Sequence, residues 1–304
     1  MSKKHIIGIL TALFTFSAQA EDLSVTASFS ILGDVAREIG GERVAVHEII
    51  SADKDAHIYR LTPQDLNTIR QSKLVLINGL GFESAEFERA IKSAKIPVAA
   101  ATKNIKAMEN DEHDEHNHAH NHEHHGHDHG EFDPHVWQDP VLMQTYAQNV
   151  AEALSKADPA GKEYYAQRLK NYSGCLKALH DYAQQQFSAI PEKRRKVLTS
   201  NEAFSYLGER YDIDFIAPQG VSEESEPSAK DVAKIIREVK EENIRAIFME
   251  NISNPKLVEQ ITRETGVKLS GKLYSDALSS ADGEAPTYLK MMRYNIDALI
   301  KAMK

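Results

Sequence analysis

A histidine-rich tract in the middle of the chain is the plainest sign of chemistry in this sequence. Residues 113–129 hold nine of the fourteen histidines, among Asp, Glu and Asn and without Lys or Arg. Neutral imidazoles bind zinc, copper and nickel and are poor ligands for manganese, calcium and magnesium. No apolar side chain in the tract is larger than Ala119, so the tract cannot bury enough surface to offset the entropy of ordering. The composition predicts a mobile, metal-capturing loop; the alternative is a merely solvated linker. Its histidines are His113, His116, His118, His120, His122, His124, His125, His127 and His129.

Four polar positions outside the tract follow predicted strands or begin predicted helices. They are His57 and His135 in the first half of the chain, and Asn201 and Asp276 in the second. In open α/β sheets, ligands bind beyond the carboxyl ends of the strands, so a cleft between two lobes could take two ligands from either side. Each position also has an ordinary explanation. The histidines could cap helices or lie in the core, Asn201 could be an N-cap, and Asp276 could be a turn residue.

The elements that must position these side chains alternate between strand and helix. Strands separated by helices imply parallel pairing through right-handed crossovers, so the fold class is α/β with a parallel sheet in each half. The predicted strands are Leu23–Phe29, Val44–Ile50, Leu74–Ile77 and Ile96–Ala100, then Val197–Thr199, Phe215–Ile216, Ala246–Met249 and Lys268–Leu273.

A long helical pattern separates the two halves. Apolar residues recur at three- and four-residue spacing from Asp158 to Gln186, which indicates a rigid strut between two lobes. The alternative is an ordinary surface helix of one large domain. We therefore divide the chain into an N-terminal lobe at 21–157 with its histidine-rich loop at 109–131, a connecting helix at 158–190, and a C-terminal lobe at 191–304.

The first twenty residues have the features of an export signal. Lys3 and Lys4 precede the apolar run Ile6–Phe16, which is too short to span a bilayer, and Ala18-Gln19-Ala20 is a small-x-small cleavage site. We expect cleavage after Ala20 and release into a periplasm. No cysteine follows the cut, so the sequence predicts no lipid anchor; an uncleaved N-terminal anchor is the alternative.

Charge, cysteine content and missing motifs exclude several classes of function. The formal net charge is −9, and removing a signal with two lysines makes it −11. This balance argues against binding to nucleic acid or to an anionic membrane. The single cysteine excludes an intramolecular disulfide. No His-Glu-x-x-His or Gly-x-Ser-x-Gly motif is present, so a metal-dependent enzyme is not favoured.

Five segments together resemble the cluster A-I solute-binding proteins of ABC transporters that take up zinc or manganese. Asp133-Pro134-His135-Val136-Trp137-Gln138-Asp139-Pro140 is the closest match and corresponds to the family's second-ligand segment. The resemblance extends over the whole mature chain in the expected order. The other segments are Asp55–Tyr59 with Thr62–Asp65, the turn Asn78–Glu83, Thr199–Phe204, and Tyr274–Asp276.

The resemblance implies two α/β lobes, a long connecting helix, and one metal between the lobes held by His57, His135, Asn201 and Asp276. A histidine-rich loop before the second ligand is typical of the zinc-specific branch. The implied function is a monomeric periplasmic Zn²⁺-binding protein that delivers its ion to a membrane permease. The alternatives are Mn²⁺ or iron as cargo, and, less favoured, an adhesin.

The sequence departs from the family pattern at its third ligand position. That position is usually His in zinc binders and Glu in manganese binders, but here it is Asn201. An amide oxygen can coordinate zinc, although it is a weaker donor than imidazole. Water or Glu202 could complete the site instead. Glu250, after the Ala246–Met249 strand, is either an alternative or supporting acidic residue or a carboxylate paired with a neighbouring base.

Overall fold

The computed structural model describes residues 22–110, 131–217 and 229–304. The predicted signal segment 1–20, the histidine-rich tract 113–129 and residues 218–228 lie outside these ranges. The described residues form two four-stranded parallel sheets, each flanked by helices, as the alternation of elements predicted.

The N-terminal lobe is built on a sheet with the strand order β2-β1-β3-β4. All of its pairings are parallel, and helices connect consecutive strands, so the loops at the carboxyl ends of the strands gather at one edge. The elements are β1 (Leu23–Phe29), α1 (Ser30–Gly40), β2 (Val44–Ile50), α2 (Pro63–Gln71), β3 (Leu74–Ile77), α3 (Ala85–Ala94), β4 (Val98–Ala100) and α4 (Leu142–Ala157).

Local sequence sets two of the helix starts. The Thr62 hydroxyl accepts the backbone N–H of Asp65, whose carboxylate accepts the N–H of Thr62, so α2 begins with a capping box. The pair Asp139-Pro140 predicts a helix with proline at its first position, but α4 begins at Leu142. The Asp139 carboxylate accepts the Val141 N–H at 2.7 Å and binds Arg210 with its other oxygen, so it closes a turn before the helix.

The C-terminal lobe repeats the arrangement with the strand order β6-β5-β7-β8, again all parallel. The sequence pattern predicts a helix start at Ser200, but α6 starts at Ser205, so Asn201 and Glu202 lie in the preceding bend. The elements are β5 (Lys196–Leu198), α6 (Ser205–Tyr211), β6 (Asp214–Ile216), α7 (Ala229–Glu241), β7 (Ala246–Glu250), α8 (Lys256–Thr265), β8 (Gly271–Leu273) and α9 (Tyr288–Met303).

Helix α5 (Lys162–Ser188) links the lobes. It has 27 residues, which corresponds to about 40 Å at 1.5 Å per residue. It packs on α1 and α4 of the first lobe and on α6 and α9 of the second. Its buried side chains recur at helical spacing and join a hydrophobic core that continues through both lobes. The predicted start at Asp158 is instead a 3-10 turn, Pro159–Gly161.

None of the helices in the described ranges combines the length and apolarity that crossing a bilayer demands.

Candidate metal centre

His57 reaches the cleft from the loop that follows β2. The Asp55 carboxylate accepts the backbone N–H of His57 at 2.7 Å, which closes a tight Asx turn and fixes the direction of the side chain. The imidazole ring lies edge-on to Phe82, with ring centroids 6.0 Å apart. Its Nε2 lies 3.2 Å from Oδ2 of Asp276 in the other lobe.

His135 is held by the same kind of Asx turn, with one further hydrogen bond. Asp133 Oδ1 accepts both the backbone N–H of His135 at 2.9 Å and a hydrogen bond from its Nδ1 at 2.7 Å. A carboxylate on Nδ1 fixes the tautomer of a histidine and increases the basicity of the opposite nitrogen, as in many metal sites. That opposite nitrogen, Nε2, is buried and has no hydrogen-bond partner among the described residues.

Asp276 lies in the loop after β8, and residues of both lobes form hydrogen bonds with the two residues beside it in the chain. From the first lobe, Trp137 Nε1 and Gln138 Nε2 donate to the Ser275 carbonyl at 2.9 and 2.8 Å. From the second lobe, Asn251 accepts the Ser275 N–H and donates to the Ala277 carbonyl. The sequence analysis missed Asn251, although its position directly after the buried strand β7 is the signal that singled out the other polar residues.

The structure brings His57, His135 and Asp276 together as a three-donor cluster, with one donor atom of each within 4.8 Å of the others. While Oδ2 of Asp276 contacts His57, its other oxygen, Oδ1, lies 3.5 Å from His135 Nε2. Ligands at about 2.0–2.2 Å from a tetrahedral zinc ion lie roughly 3.3–3.5 Å from one another. The side chains of His57, His135 and Asp276 are 16%, 5% and 0% exposed, so the donors face a nearly closed space. The donor atoms and their separations fit a small divalent cation.

The carboxylates of the cleft change the protonation of the histidines. Burial alone lowers the pKa of His135, but the charges of Asp276 and Asp133 and the bond from Nδ1 outweigh it and raise the pKa to about 9. Burial also lowers the pKa of His57, and the hydrogen bond to Asp276 raises it above the ordinary value overall. At neutral pH the metal-free cleft therefore holds a proton on His135, where a cation would bind.

Glu250 is a second buried carboxylate next to this cluster. It ends β7, is 2% exposed, and accepts a hydrogen bond from the Ser200 hydroxyl at 3.2 Å. Burial first, and then the charge of Asp276, raise the pKa of Glu250 to about 7. The charge of His135 acts on Glu250 and opposes this rise in pKa. The role of Glu250 as an alternative ligand, a supporting residue or a carboxylate paired with a base stays a prediction. Glu250 stands close enough to influence a bound ion.

Asn201 and Glu202 lie in the loop that leads from β5 to α6. Asn201 is partly buried, and its backbone carbonyl accepts the Thr199 hydroxyl at 3.0 Å. Its neighbour Ser200 contacts Glu250, so the loop lies beside the buried carboxylates. Glu202 is exposed. The coordination of a metal by Asn201 stays a prediction, and the tract histidines lie outside the described residues.

Comparison with known proteins identifies the family. The model of the ZnuA family, described as zinc-uptake complex component A, periplasmic, matches residues 25–302. The chain belongs to the ZnuA family. Members of this family are metal-binding, substrate-binding proteins of ABC transporters and not enzymes. The two-lobed fold and the cleft therefore belong to a transport protein.

Individual relatives differ in the metal that they are named for. The chain is 30% identical to the iron-binding protein YfeA of Yersinia pestis, over 94% of this chain and 88% of that protein. It is 28% identical to the manganese-binding lipoprotein MntA of Halalkalibacterium halodurans, over 94% and 90%. Among solved structures, the periplasmic zinc-binding protein TroA of Treponema pallidum superposes with a TM-score of 0.83 at 26% identity, covering 93% of this chain and 99% of TroA.

Proposed function

We propose that this protein captures Zn²⁺ in the cleft between its lobes and delivers the ion to the membrane permease of an ABC importer. The observation that carries the proposal is the three-donor cluster, in which two imidazole nitrogens and one carboxylate converge at spacings that suit zinc. His57 and His135 supply the nitrogens and Asp276 the oxygen. Asn201 is the proposed fourth ligand, through its amide oxygen.

The choice of zinc over manganese rests on donor chemistry. Imidazole favours zinc, whereas manganese prefers carboxylate, carbonyl and water oxygens. The histidine-rich tract at 113–129 supports the same choice, and we propose that it catches scarce zinc and passes it to the cleft. We further propose that residues 1–20 direct export and that the mature protein acts in the periplasm as a monomer.

Mn²⁺ is the second candidate cargo, and a specific observation favours it. Glu250 places a hard, anionic oxygen donor beside Asp276, while Asn201 stands where a zinc binder of this family usually has histidine. Relatives named for manganese and iron point in the same direction. The two ions therefore need to be compared on the same protein.

The deciding experiment measures metal identity and retention in residues 21–304 purified without a chelator. We expect one tightly held zinc per chain after dialysis, which competes successfully against a zinc chelator, and loss of manganese under the same dialysis. The variant His135→Ala serves as the control without a cleft site. Tight manganese retention with feeble zinc binding would overturn the choice of zinc.

Two functional assays separate transport from the other classes. Recovery of growth by the full-length chain in chelated medium distinguishes a transport protein from an adhesin. Turnover of common esters and peptides with and without zinc distinguishes a binding protein from an enzyme, and we expect none.

A further inference from the structure

The loop that carries His57 is fastened to the loop that follows Asp276. The backbone N–H of Asp53 donates to the Leu278 carbonyl at 2.8 Å, and the Asp53 carboxylate accepts the backbone N–H of Ser280 at 2.8 Å. One residue of the first lobe thus makes two hydrogen bonds to one short segment of the second. Asp53 is four residues before His57, and Leu278 is two residues after Asp276.

The conformation of Asp53 suits this bridge. Its φ is +56°, in the left-handed region that Asp and Asn tolerate better than other residues with side chains. This conformation allows the N–H and the carboxylate of one residue to bond the same facing loop. The Leu278 N–H also donates to the Ser30 hydroxyl at the start of α1, so both backbone polar groups of Leu278 are bound by the first lobe.

The hydrogen bonds of Asp53 lie nearer to solvent than the bonds deeper in the cleft. Asp53 is exposed, whereas the Ser30 bond and the Trp137 bond to Ser275 are buried. Water can reach bonds at an exposed residue and take over their partners, so these bonds break more readily than the buried ones and can re-form without unfolding either lobe. A contact of this kind between two ligand-bearing loops affects how often the loops separate.

We propose that Asp53 is a positioning residue that holds the His57 loop against the Asp276 loop and thereby sets the rate at which the cleft releases its ion. The inference rests on the proposed function, because it takes His57 and Asp276 as ligands. The ion leaves when the two donors move apart, and that movement requires the Leu278 and Ser280 bonds to break. The bridge slows release and has little influence on capture by an already open cleft.

The test uses two substitutions at Asp53 and a matched control in residues 21–304. Asp53→Gly keeps the positive φ and removes the carboxylate, while Asp53→Asn keeps both the conformation and an acceptor oxygen. The control is Asp212→Gly. Asp212 is also an aspartate in the left-handed region, with φ +57°, and its carboxylate binds Arg195 instead of a cleft loop. The measurements are zinc dissociation into excess chelator by stopped flow, the association rate, and thermal unfolding of the metal-free protein.

We expect Asp53→Gly to release zinc on the order of tenfold faster, which is the scale of one hydrogen bond to a charged group. Its association rate should stay within about twofold, and Asp53→Asn should recover most of the slow release. Asp212→Gly should leave both rates unchanged, even where its unfolding temperature falls.

Two outcomes overturn the inference, and they differ from failure of the proposed function. If Asp53→Gly releases zinc at the wild-type rate, Asp53 does not control release. If Asp212→Gly accelerates release as much as Asp53→Gly, the effect reflects general destabilisation. A wild-type protein that holds no zinc overturns the proposed function together with this inference, whereas tight wild-type binding with unaltered variant rates overturns the inference alone.

Discussion

Zinc affinity should weaken steeply as the pH falls below 9, because His135 carries a proton in the metal-free cleft. Coordination needs the deprotonated imidazole, so zinc must displace that proton. Burial opposes the charged form, but Asp276 and Asp133 together raise the pKa of His135 to about 9. The competition between zinc and the proton therefore extends through the whole neutral range.

The size of the effect follows from this pKa. When zinc displaces one proton, the apparent Kd equals the Kd of the deprotonated site multiplied by a factor. That factor is 1 + 10^(pKa − pH). A pKa of about 9 makes zinc binding about 50-fold weaker at pH 7 than at pH 9, and about tenfold weaker again at pH 6. An ordinary imidazole, with a pKa of about 6.5, gives less than about twofold between pH 9 and pH 7. The pKa of His57 is also raised, which makes the dependence steeper at its acidic end.

Competition against a chelator of known pH dependence, measured from pH 6 to pH 9, tests this expectation. Calorimetry in buffers of different ionisation enthalpy should show about one proton released per zinc at pH 7.5. Trp137 packs against His135, with ring centroids 5.2 Å apart, so its fluorescence offers an independent signal. An affinity that stays flat from pH 9 to pH 7 and declines only below 6.5 would refute the raised pKa of His135.

The same protons make the stability of the metal-free protein and the added stabilisation by zinc respond to pH in opposite directions. The folded-state pKa of His135 lies above its unfolded value, so its contribution to stability is complete below about pH 6.5 and is lost by pH 9. That contribution is on the order of 3 kcal/mol. Burial raises the pKa of Glu250 to about 7, so the free energy of unfolding also falls as pH rises towards 7. Denaturant unfolding should show decreasing stability of the metal-free protein towards pH 9, and increasing stabilisation by zinc.

Three further predictions concern the ligands and their supports. Deleting residues 113–129 should lower the number of zinc ions bound per chain and leave one tight site, as measured by equilibrium dialysis. Loss of the tight site would contradict the proposal that the tract captures zinc and the cleft holds it. Asn201→His should tighten zinc binding, and Asn201→Glu should shift the preference towards manganese. Asn201→Ala should weaken zinc binding less than His57→Ala or His135→Ala does. If all three substitutions at Asn201 leave the metal affinities unaltered, Asn201 has only a structural role. Asp133→Asn should weaken zinc binding about 10- to 100-fold at pH 9, because it removes the carboxylate that accepts the hydrogen bond from Nδ1 of His135. Chelator competition measures this, and an unaltered affinity would show that this support is dispensable.

The sequence predicted the parallel α/β lobes because strand and helix signals are local. Strands β1, β2 and β3 have the predicted bounds, since β-branched and apolar runs between turn residues mark them clearly. One error lies at a helix start where a side chain bonds outside its own element. Asp139 binds Arg210 across the lobes, and α4 starts two residues late; no local pattern contains that partner.

The site was only partly accessible to sequence reasoning, for a related reason. The Asp-x-His spacing marks His57 and His135, and the structure explains it, because each aspartate accepts the N–H of the histidine two residues later. The protonation of His135 could not be read from the sequence. It depends on Asp276, which is 141 positions away in the chain and reaches the cleft only when both lobes have folded. The Asp53 bridge is hidden in the same way, because both of its bonds cross between the lobes.

The balance of charge in the cleft offers a physical reason for a neutral residue at position 201. Asp276 and Glu250 are both buried there, and the metal-free protein compensates them with a proton on His135 and, below about pH 7, one on Glu250. A bound Zn²⁺ supplies two positive charges in place of those protons, against three buried carboxylates once Asp133 beside His135 is counted, so the charge of the ion calls for no further anion. A glutamate at position 201 would add a carboxylate beside Ser200 and Glu250, in a space where one carboxylate already keeps its proton up to neutral pH. An amide oxygen at Asn201, the proposed fourth ligand, would offer a donor without that charge.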